Sequence, residues 1–273
     1  MTRPTAIPCA WYAGRPLLEP TLSLSLEDPG FLYGATLFTT LRVYGADLMD
    51  RRTAWPAHRA RLQASVADLG WLCPNWDSVT EGMHSLLLHW PVLRVTLFPD
   101  GRELIHGRPL PPGLATQQQT GISAWVAPHT PCHRWRPEHK TGNYLGAWLA
   151  RREAARHAAQ EAILTDSAGR WLETSTGTLW GWGQGQWWTP PLTGEQLPGI
   201  ARQRLIERLH LLGQFIQETP WTTDVPESLE CLAYSNSVVG VLPIHTVGRP
   251  AGPLAFSVPH PALEQLASLL GNP

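Results

Sequence analysis

The chain contains a single lysine, Lys140, against twenty arginines. Arginine can replace lysine in most surface roles, but its guanidinium does not lose a proton near neutral pH and so cannot attack a carbonyl carbon. A lone amine in an arginine-rich chain is therefore a candidate Schiff-base nucleophile. The alternative is a codon-driven drift from lysine to arginine that left one accidental lysine on the surface. The residues around Lys140 have to decide between the two.

Other features are also scarce. The formal net charge is -1, so the chain lacks the basic surface of a protein that binds nucleic acid or an anionic membrane. No apolar run reaches the roughly 20 residues of a membrane span, and the N-terminus lacks the residue order of a secretory signal. We therefore expect a cytoplasmic protein without nucleic-acid or membrane partners. Its widely spaced cysteines are expected to be free thiols; they are Cys9, Cys73, Cys132 and Cys231.

One short cluster suggests a metal. His129, Cys132 and His133 are close in sequence, but tetrahedral zinc needs more ligands than this cluster supplies, and Pro131 indicates a loop. We expect no metal site. The fourteen tryptophans are spread along the chain and are interpreted as core, loop and pocket residues.

Hydrophobic periodicity predicts a mixed α and β chain in two parts. In the first part we expect strands at 35–44 and 92–98 and helices at 55–69 and 78–89. A stretch rich in proline, glycine and glutamine then predicts a linker. The predicted organisation is a small N-terminal domain (1–113), a linker (114–121) and a larger domain (122–273).

The second part is predicted to begin with a strand at 122–127 and to contain a strong amphipathic helix at 143–159. Lys140 would lie in the turn just before this helix. Short strands are expected between 161 and 192 and over 231–247, with a helix at about 200–212. The GWGQGQ stretch lacks the Lys-Ser/Thr of a phosphate loop and is interpreted as a hairpin turn.

Several sequence blocks occur together: HKTGNYLGAWLA around Lys140, EAILTDSAGRWLETSTGTLW, TPPL, LPGIAR and SNSVVGVLPI, with FLYGATLFTTLRVY and HRARLQASVADLG upstream. In this order the chain resembles the class IV, fold-type IV pyridoxal-phosphate enzymes from about residue 30 to residue 247. The resemblance implies an α+β fold with a small N-terminal α/β sandwich domain and a larger β-barrel-like domain with flanking helices. It also implies pyridoxal 5'-phosphate as cofactor, held between the domains, and a homodimer.

The resemblance assigns the central chemistry to three residues. Lys140 matches the lysine that bonds the cofactor and then acts as general base and acid. Glu173 matches the acidic partner that keeps the pyridine nitrogen protonated; the alternative is an ordinary hairpin glutamate. Tyr144 matches a tyrosine that in some members hydrogen-bonds the phenolic oxygen of the cofactor.

The cofactor phosphate needs charge and oriented donors. Arg61 matches the phosphate-binding arginine of the family, and Arg59 is the second choice. The LPGI segment before a helix would offer the backbone N–H groups of Ile200 and Ala201. Ser237 matches a further hydroxyl donor.

The blocks also indicate the branch of the family. Phe38-Thr39-Thr40 stands where branched-chain aminotransferases have Phe-Glu-Gly, and only two residues separate Lys140 from Asn143. The short spacing is shared by D-amino-acid aminotransferases and 4-amino-4-deoxychorismate lyases, whereas the Phe-Thr-Thr run and Asn-Ser before GVLPI look most like the lyases. Arg102 could meet a substrate carboxylate, although the lyase arginine-glycine run matches loosely here. The residues expected to contact substrate are Tyr33, Phe38, Thr40, Arg102 and Asn236.

A lyase of this branch would convert the small molecule 4-amino-4-deoxychorismate to 4-aminobenzoate and pyruvate, a step of folate biosynthesis, without a keto-acid acceptor. The first alternative is a D-amino-acid or branched-chain aminotransferase on the same fold. An alternative of a different class is a cofactor-free relative kept as an interaction module, with exposed tryptophans as contact points.

Overall fold

The computed structural model describes residues 7–129 and 135–271. Backbone contacts divide the chain into two compact units. The N-terminal unit consists of Met1–Leu110 and His139–Asn143, and the C-terminal unit of Pro111–Glu138 and Tyr144–Pro273. The short segment that contains Lys140 therefore belongs to the N-terminal unit, although the chain on both sides of it belongs to the other.

The N-terminal unit is built on a five-stranded antiparallel sheet with the strand order β2-β1-β5-β4-β3. One face packs against α2 and α3 through a core that includes Leu41, Val95 and Ile105 from the strands and Leu62 and Met83 from the helices. Because strand side chains alternate, Phe38 and Thr40 lie on the opposite face. The elements are β1 Ala10–Tyr12, β2 Arg15–Leu17, α1 Pro29–Leu32, β3 Leu37–Arg42, α2 Trp55–Asp68, α3 Trp76–Leu87, β4 Val92–Leu97 and β5 Glu103–Arg108.

A buried carboxylate ties β1 to α3 in this unit. Glu103 is 4% exposed, and its Oε1 accepts hydrogen bonds from Trp11 Nε1 at 3.1 Å, Ser78 Oγ at 2.6 Å and the Gly14 N–H at 2.9 Å. A buried carboxylate is tolerated when donors of this kind surround it. None of these partners is among the residues that the sequence assigned to a functional site.

The C-terminal unit is built on a nine-stranded mixed sheet with the order β11-β10-β9-β12-β13-β6-β7-β8, and β14 pairs with β13. β6 pairs in parallel with β7 and β13, and β10 with β11. One core contains the fully buried Trp180 and Trp187 with Leu205 and Leu266 from two helices. The elements are α4 Leu114–Thr120, β6 Ile122–Val126, α5 Leu145–Arg156, β7 Glu161–Thr165, β8 Trp171–Thr174, β9 Thr178–Gly183, β10 Gln186–Thr189, α6 Ile200–Leu211, β11 Ile216–Glu218, α7 Asp224–Glu227, β12 Cys231–Asn236, β13 Gly240–Gly248, β14 Leu254–Ala255 and α8 Pro261–Leu269.

The range predicted as a linker contains helix α4. Leu114 is buried at its start, and Gln118 Nε2 donates to the Val239 carbonyl at 2.8 Å, so the helix is held against the C-terminal unit. A composition rich in glycine, proline and glutamine does not reveal such contacts. Residues 139–143 belong to the N-terminal unit although they follow part of the C-terminal unit in sequence. The predicted domains were consecutive ranges and could not include such an exchange.

The helices of the described residues include none that is long and apolar enough to cross a membrane.

Candidate active site

The backbone of Lys140 is fixed to the edge of the N-terminal sheet. The Phe38 N–H donates to the Lys140 carbonyl at 2.8 Å, and the Gly142 N–H donates to the Thr36 carbonyl at 2.6 Å. The segment thus continues the sheet beside β3, which is otherwise an edge strand. A Cβ at Gly142 would collide with the Thr36 hydroxyl, so this close approach requires glycine.

A second anchor comes from the residue before the lysine. His139 is 8% exposed, and its Nδ1 lies 2.9 Å from Ser65 Oγ on α2. Its Nε2 lies 2.9 Å from Asp68 Oδ2 on the same helix. The imidazole therefore connects the lysine segment to α2 while the backbone connects it to β3.

The Lys140 amine and an arginine lie at the same aromatic ring. Lys140 Nζ is 4.8 Å from the centroid of the buried Phe38 ring, and the Arg94 guanidinium carbon is 3.6 Å from it. Arg94 pairs in register with Thr40 across β3 and β4, so it shares a sheet face with both predicted substrate residues. Sequence reasoning missed Arg94. Its signal was a charged residue inside the otherwise apolar strand VLRVTLF.

The predicted phosphate-binding arginine lies in a buried polar cluster. Arg61 Nη2 donates to Thr39 Oγ1 at 2.8 Å, and the same oxygen is 2.6 Å from His58 Nδ1. Arg59 instead lies over the ring of Trp76, with its guanidinium carbon 5.1 Å from the centroid. Residues three and four apart share one side of a helix, so the same face of α2 contacts both β3 and the lysine segment. This polar face consists of His58, Arg61, Ser65 and Asp68.

Arg102 is held by acidic and phenolic partners. It forms ion pairs with Asp28 at 2.7 Å and Asp100 at 2.5 Å and donates to the Tyr12 hydroxyl. Burial opposes ionisation of the Asp28 carboxyl, but hydrogen bonds from Arg102 and the Gly30 N–H outweigh it and lower the pKa of Asp28. These contacts occupy the guanidinium and favour a structural role for it. Tyr33, another predicted substrate residue, is 76% exposed at the end of α1.

In the C-terminal unit, Glu173 lies next to the segment that precedes α6. The Glu173 side chain is 5% exposed, and its Oε2 accepts a hydrogen bond from the Leu197 N–H at 3.3 Å. α6 then begins after Gly199, and no side chain of the described residues caps its N-terminus. The first N–H groups of this helix, including those of Ile200 and Ala201, are therefore oriented donors suited to an anion.

Two further predicted residues meet at the turn of residues 174–177, directly after Glu173. The Tyr144 hydroxyl donates to the Ser175 carbonyl at 3.0 Å, and Asn236 Nδ2 donates to the Thr176 carbonyl at 3.3 Å. Asn236 also accepts, through Oδ1, the N–H groups of two residues that follow it. Ser237 is half-buried in the turn between β12 and β13. Glu173, Tyr144 and Asn236 are thus brought together by one turn.

The sequence cluster that suggested zinc is only partly described. His129 Nδ1 lies 2.7 Å from the Thr165 carbonyl oxygen. Cys132 and His133 lie outside the described residues.

A family model for amino-transferase class IV matches residues 36–247, which is most of the chain. The chain therefore belongs to the class IV aminotransferase family. Over 256 residues it is 23% identical to the aminodeoxychorismate lyase of Vibrio harveyi, covering 88% of this chain and 93% of that protein. It is 31% identical over 106 residues to the branched-chain-amino-acid aminotransferase of Escherichia coli K12, covering 39% of this chain and 34% of that protein.

Solved structures give the same fold. The E. coli branched-chain aminotransferase has a TM-score of 0.80 at 22% identity, with 95% of this chain and 92% of that chain covered. A PLP-bound hypothetical aminotransferase from Mycobacterium tuberculosis has a TM-score of 0.80 at 19% identity, with 96% of each chain covered. A candidate 4-amino-4-deoxychorismate lyase has a TM-score of 0.72 at 28% identity, with 91% of this chain and 94% of that chain covered.

The predicted α+β, fold-type IV architecture is confirmed, and the cofactor of the family is pyridoxal 5'-phosphate (PLP). The residues present fit this group. The only lysine has a fixed backbone, a buried carboxylate is present to pair with a pyridinium nitrogen, and the uncapped N-terminus of α6 suits a phosphate. Membership in an enzyme family disfavours the interaction-module alternative.

The anchoring of the lysine segment can be tested by proteolysis. A lysine-specific endoprotease can cut this chain only after Lys140, so native-state cleavage reports opening of that segment. His139→Ala removes the contacts to Ser65 and Asp68, each worth about 1 kcal/mol, and should speed cleavage by about tenfold or more. His84→Ala, at an exposed position on α3, is the control and should leave the rate unchanged. An unchanged rate in His139→Ala would show that the imidazole does not anchor the segment.

Proposed function

We propose that this chain is a PLP-dependent lyase that converts 4-amino-4-deoxychorismate to 4-aminobenzoate and pyruvate. One observation carries the choice: the match to an aminodeoxychorismate lyase extends along 88% of this chain and 93% of the relative. The match to the branched-chain aminotransferase covers 34% of that enzyme. The Phe38-Thr39-Thr40 run supports the same branch, and the short spacing between Lys140 and Asn143 separates the chain from the branched-chain aminotransferases.

In this proposal two residues serve the reacting atoms. The bound cofactor supplies an electron sink that stabilises negative charge on the substrate carbon next to the amine. Lys140 would hold the cofactor at rest and would later take the proton from the amine-bearing ring carbon of the substrate. Glu173 holds a proton on the pyridine nitrogen. The bond from the adjacent ring carbon to the enolpyruvyl oxygen would then break. The group would leave as enolpyruvate, which takes up a proton to become pyruvate, and the ring would become aromatic, so no keto-acid acceptor is needed.

Binding of the phosphate is assigned to charge and backbone donors. Arg61 supplies a guanidinium whose position is set by Thr39, and the N–H groups of Ile200 and Ala201 supply oriented dipoles. Ser237 adds a hydroxyl donor. Tyr144 is assigned to the phenolic oxygen of the cofactor.

Recognition of substrate is assigned to the face of the N-terminal sheet opposite α2 and α3. Phe38 and Thr40 lie there with Arg94, whose guanidinium carbon is 3.6 Å from the centroid of the Phe38 ring that the Lys140 amine also contacts. A cation beside the reactive amine suits a substrate carboxylate. Arg94 is preferred to Arg102 because its guanidinium lies at the same aromatic ring as the Lys140 amine. Tyr33 and Asn236 remain proposed substrate contacts.

We also propose a homodimer in the cytoplasm. The dimer follows from the family resemblance, and the cytoplasm from the widely spaced cysteines, which suit a reducing compartment. Phe31, Leu32 and Tyr33 are consecutive exposed apolar residues that association would cover.

A branched-chain aminotransferase is the second candidate. It is favoured by the 31% identity over 106 residues and by the TM-score of 0.80 with the E. coli enzyme. In an aminotransferase Lys140 and Glu173 would keep their roles, and a keto acid would be required to accept the amino group.

The first prediction concerns the lysine. Borohydride reduction of the PLP-loaded protein should fix the cofactor to a single internal peptide, the one containing Lys140, because no other side-chain amine exists. Lys140→Arg should abolish both the visible absorption of the bound cofactor and the labelling, while circular dichroism confirms that the variant folds. Label elsewhere than Lys140 would remove the basis of the mechanism.

The second prediction concerns the reaction. Purified protein given 4-amino-4-deoxychorismate and PLP should release 4-aminobenzoate and pyruvate in equal amounts without added keto acid. Lys140→Arg is the control for spontaneous breakdown of the substrate. Rapid conversion of the cofactor to its amine form by leucine or glutamate, with no 4-aminobenzoate formed, would assign the chain to the aminotransferases instead.

The third prediction separates two arginines. Arg94→Ala should raise the KM for 4-amino-4-deoxychorismate about ten- to a hundredfold, as expected for a lost charge-assisted hydrogen bond. Arg102→Ala should mainly lower the free energy of unfolding, by about 1–3 kcal/mol at pH 7. Because the pKa of Asp28 is lowered in the folded state, this stabilisation is present above pH 4 or so and is lost on further acidification.

Urea unfolding at pH 7 and at pH 3 measures the stability of Arg102→Ala, and steady-state kinetics measures the KM of Arg94→Ala. A large KM increase in Arg102→Ala with normal stability would reverse the two assignments.

A further inference from the structure

Glu161 is a buried carboxylate to which the proposed function gives no role. It is the first residue of β7, and it is 2% exposed. Its Oε1 accepts hydrogen bonds from the Ala162 N–H at 2.9 Å and from the Ser175 hydroxyl, and its Oε2 accepts one from the Thr176 hydroxyl at 2.7 Å. No cationic side chain of the described residues forms an ion pair with it.

Burial of a carboxylate is costly, and replacement by an apolar residue of similar size is often neutral or stabilising. The rest of β7 is buried, mostly apolar and needs no charge. The side chains that Glu161 holds both belong to the 174–177 turn. The Ser175 N–H also donates to the Ala162 carbonyl at 2.9 Å, so β7 fixes the turn by backbone as well.

The turn is closed within itself by Thr174 and Gly177. The Thr174 N–H donates to the Gly177 carbonyl at 2.7 Å, and the Gly177 N–H donates to Thr174 Oγ1 at 2.9 Å. A Cβ at Gly177 would collide with the Ser235 carbonyl oxygen, so the end of the turn is pressed against β12. The two middle residues, Ser175 and Thr176, are the ones whose hydroxyls Glu161 holds.

The carbonyls of the same two residues orient predicted site side chains. Ser175 accepts the Tyr144 hydroxyl at 3.0 Å, and Thr176 accepts the Asn236 amide at 3.3 Å. A chain of hydrogen bonds therefore runs from Glu161 through Ser175 to Tyr144, and a second one through Thr176 to Asn236. Rotation of either middle peptide would break a contact at both ends.

We propose that Glu161 is a positioning residue that holds the 174–177 turn so that its carbonyls fix the Tyr144 hydroxyl and the Asn236 amide. It acts through the turn and touches neither substrate nor cofactor. The inference rests on the proposed cofactor contact of Tyr144, but not on the choice between lyase and aminotransferase.

A double-mutant cycle on the dissociation constant of PLP tests this coupling. Glu161→Gln keeps the shape of the side chain and removes its charge, while Tyr144→Phe removes the hydroxyl at the other end. Each change should raise the dissociation constant about five- to tenfold, as for one lost hydrogen bond. The double variant should bind PLP no more weakly than the weaker single variant, because Glu161 is proposed to affect PLP only through the Tyr144 hydroxyl, which the second change has already removed.

Glu103→Gln is the matched control. Glu103 is equally buried and also accepts hydrogen bonds from three donors, but none of its partners is a predicted site residue. This variant should unfold at lower urea and leave PLP affinity unchanged. If Glu161→Gln does not fold, Ser175→Ala takes its place, because it removes the hydroxyl that links Glu161 to the same residue.

Three results would overturn the proposal. If the increase in the PLP dissociation constant of the double variant equals the product of the two single increases, Glu161 and Tyr144 act independently. A normal dissociation constant in Glu161→Gln, with only its unfolding midpoint lowered, would show a purely structural role. If Glu161→Gln raises the PLP dissociation constant but Tyr144→Phe does not, Glu161 does not act through the Tyr144 hydroxyl. Because the assay measures PLP binding and not turnover, failure of the lyase reaction leaves this test unaffected.

Discussion

The hydrogen bond from the Phe38 N–H to the Lys140 carbonyl is the constraint on which the position of the lysine in the N-terminal unit depends. A lysine side chain has many rotamers, so its amine has a reproducible position only if its backbone is fixed. Phe38 contributes twice, since its N–H holds the backbone and its ring lies 4.8 Å from the amine. Helix α2 contacts both parts of this arrangement: its Asp68 binds His139, and its Arg61 donates to Thr39 on β3.

The candidate residues of the C-terminal unit are held in the same way by different groups. There a turn takes the place of a strand edge, and buried hydroxyls take the place of backbone pairing. Side chains proposed to meet the cofactor are each held by a neighbour that does not meet it, as Ser175 holds Tyr144. Support of this kind reduces the entropy lost when the ligand binds.

The sequence predicted the elements with strong periodicity. β3, α2, α5 and α6 were found within a few residues of their expected bounds. β1 and β2 were missed because strands of three residues carry no measurable period. β5 was missed because exposed His106 and Arg108 flank a glycine in a strand that only its neighbours define. Arg94 and Glu161 were missed for a similar reason: their partners lie on other elements, and only the folded register brings them together.

The lysine segment is separated from its sheet by the chain between Leu110 and His139, which belongs to the other unit. During synthesis on the ribosome, β3 therefore emerges about a hundred residues before the strand that will cover it. Until residue 142 has left the exit tunnel, the N–H of Phe38 and the carbonyl of Thr36 remain an open sheet edge, able to pair with another chain. A fragment that ends at residue 110 would keep that edge permanently. The N-terminal unit is thus compact in space but is made from two separate stretches of the chain. The stretch that is synthesised last, residues 139–143, carries the only lysine.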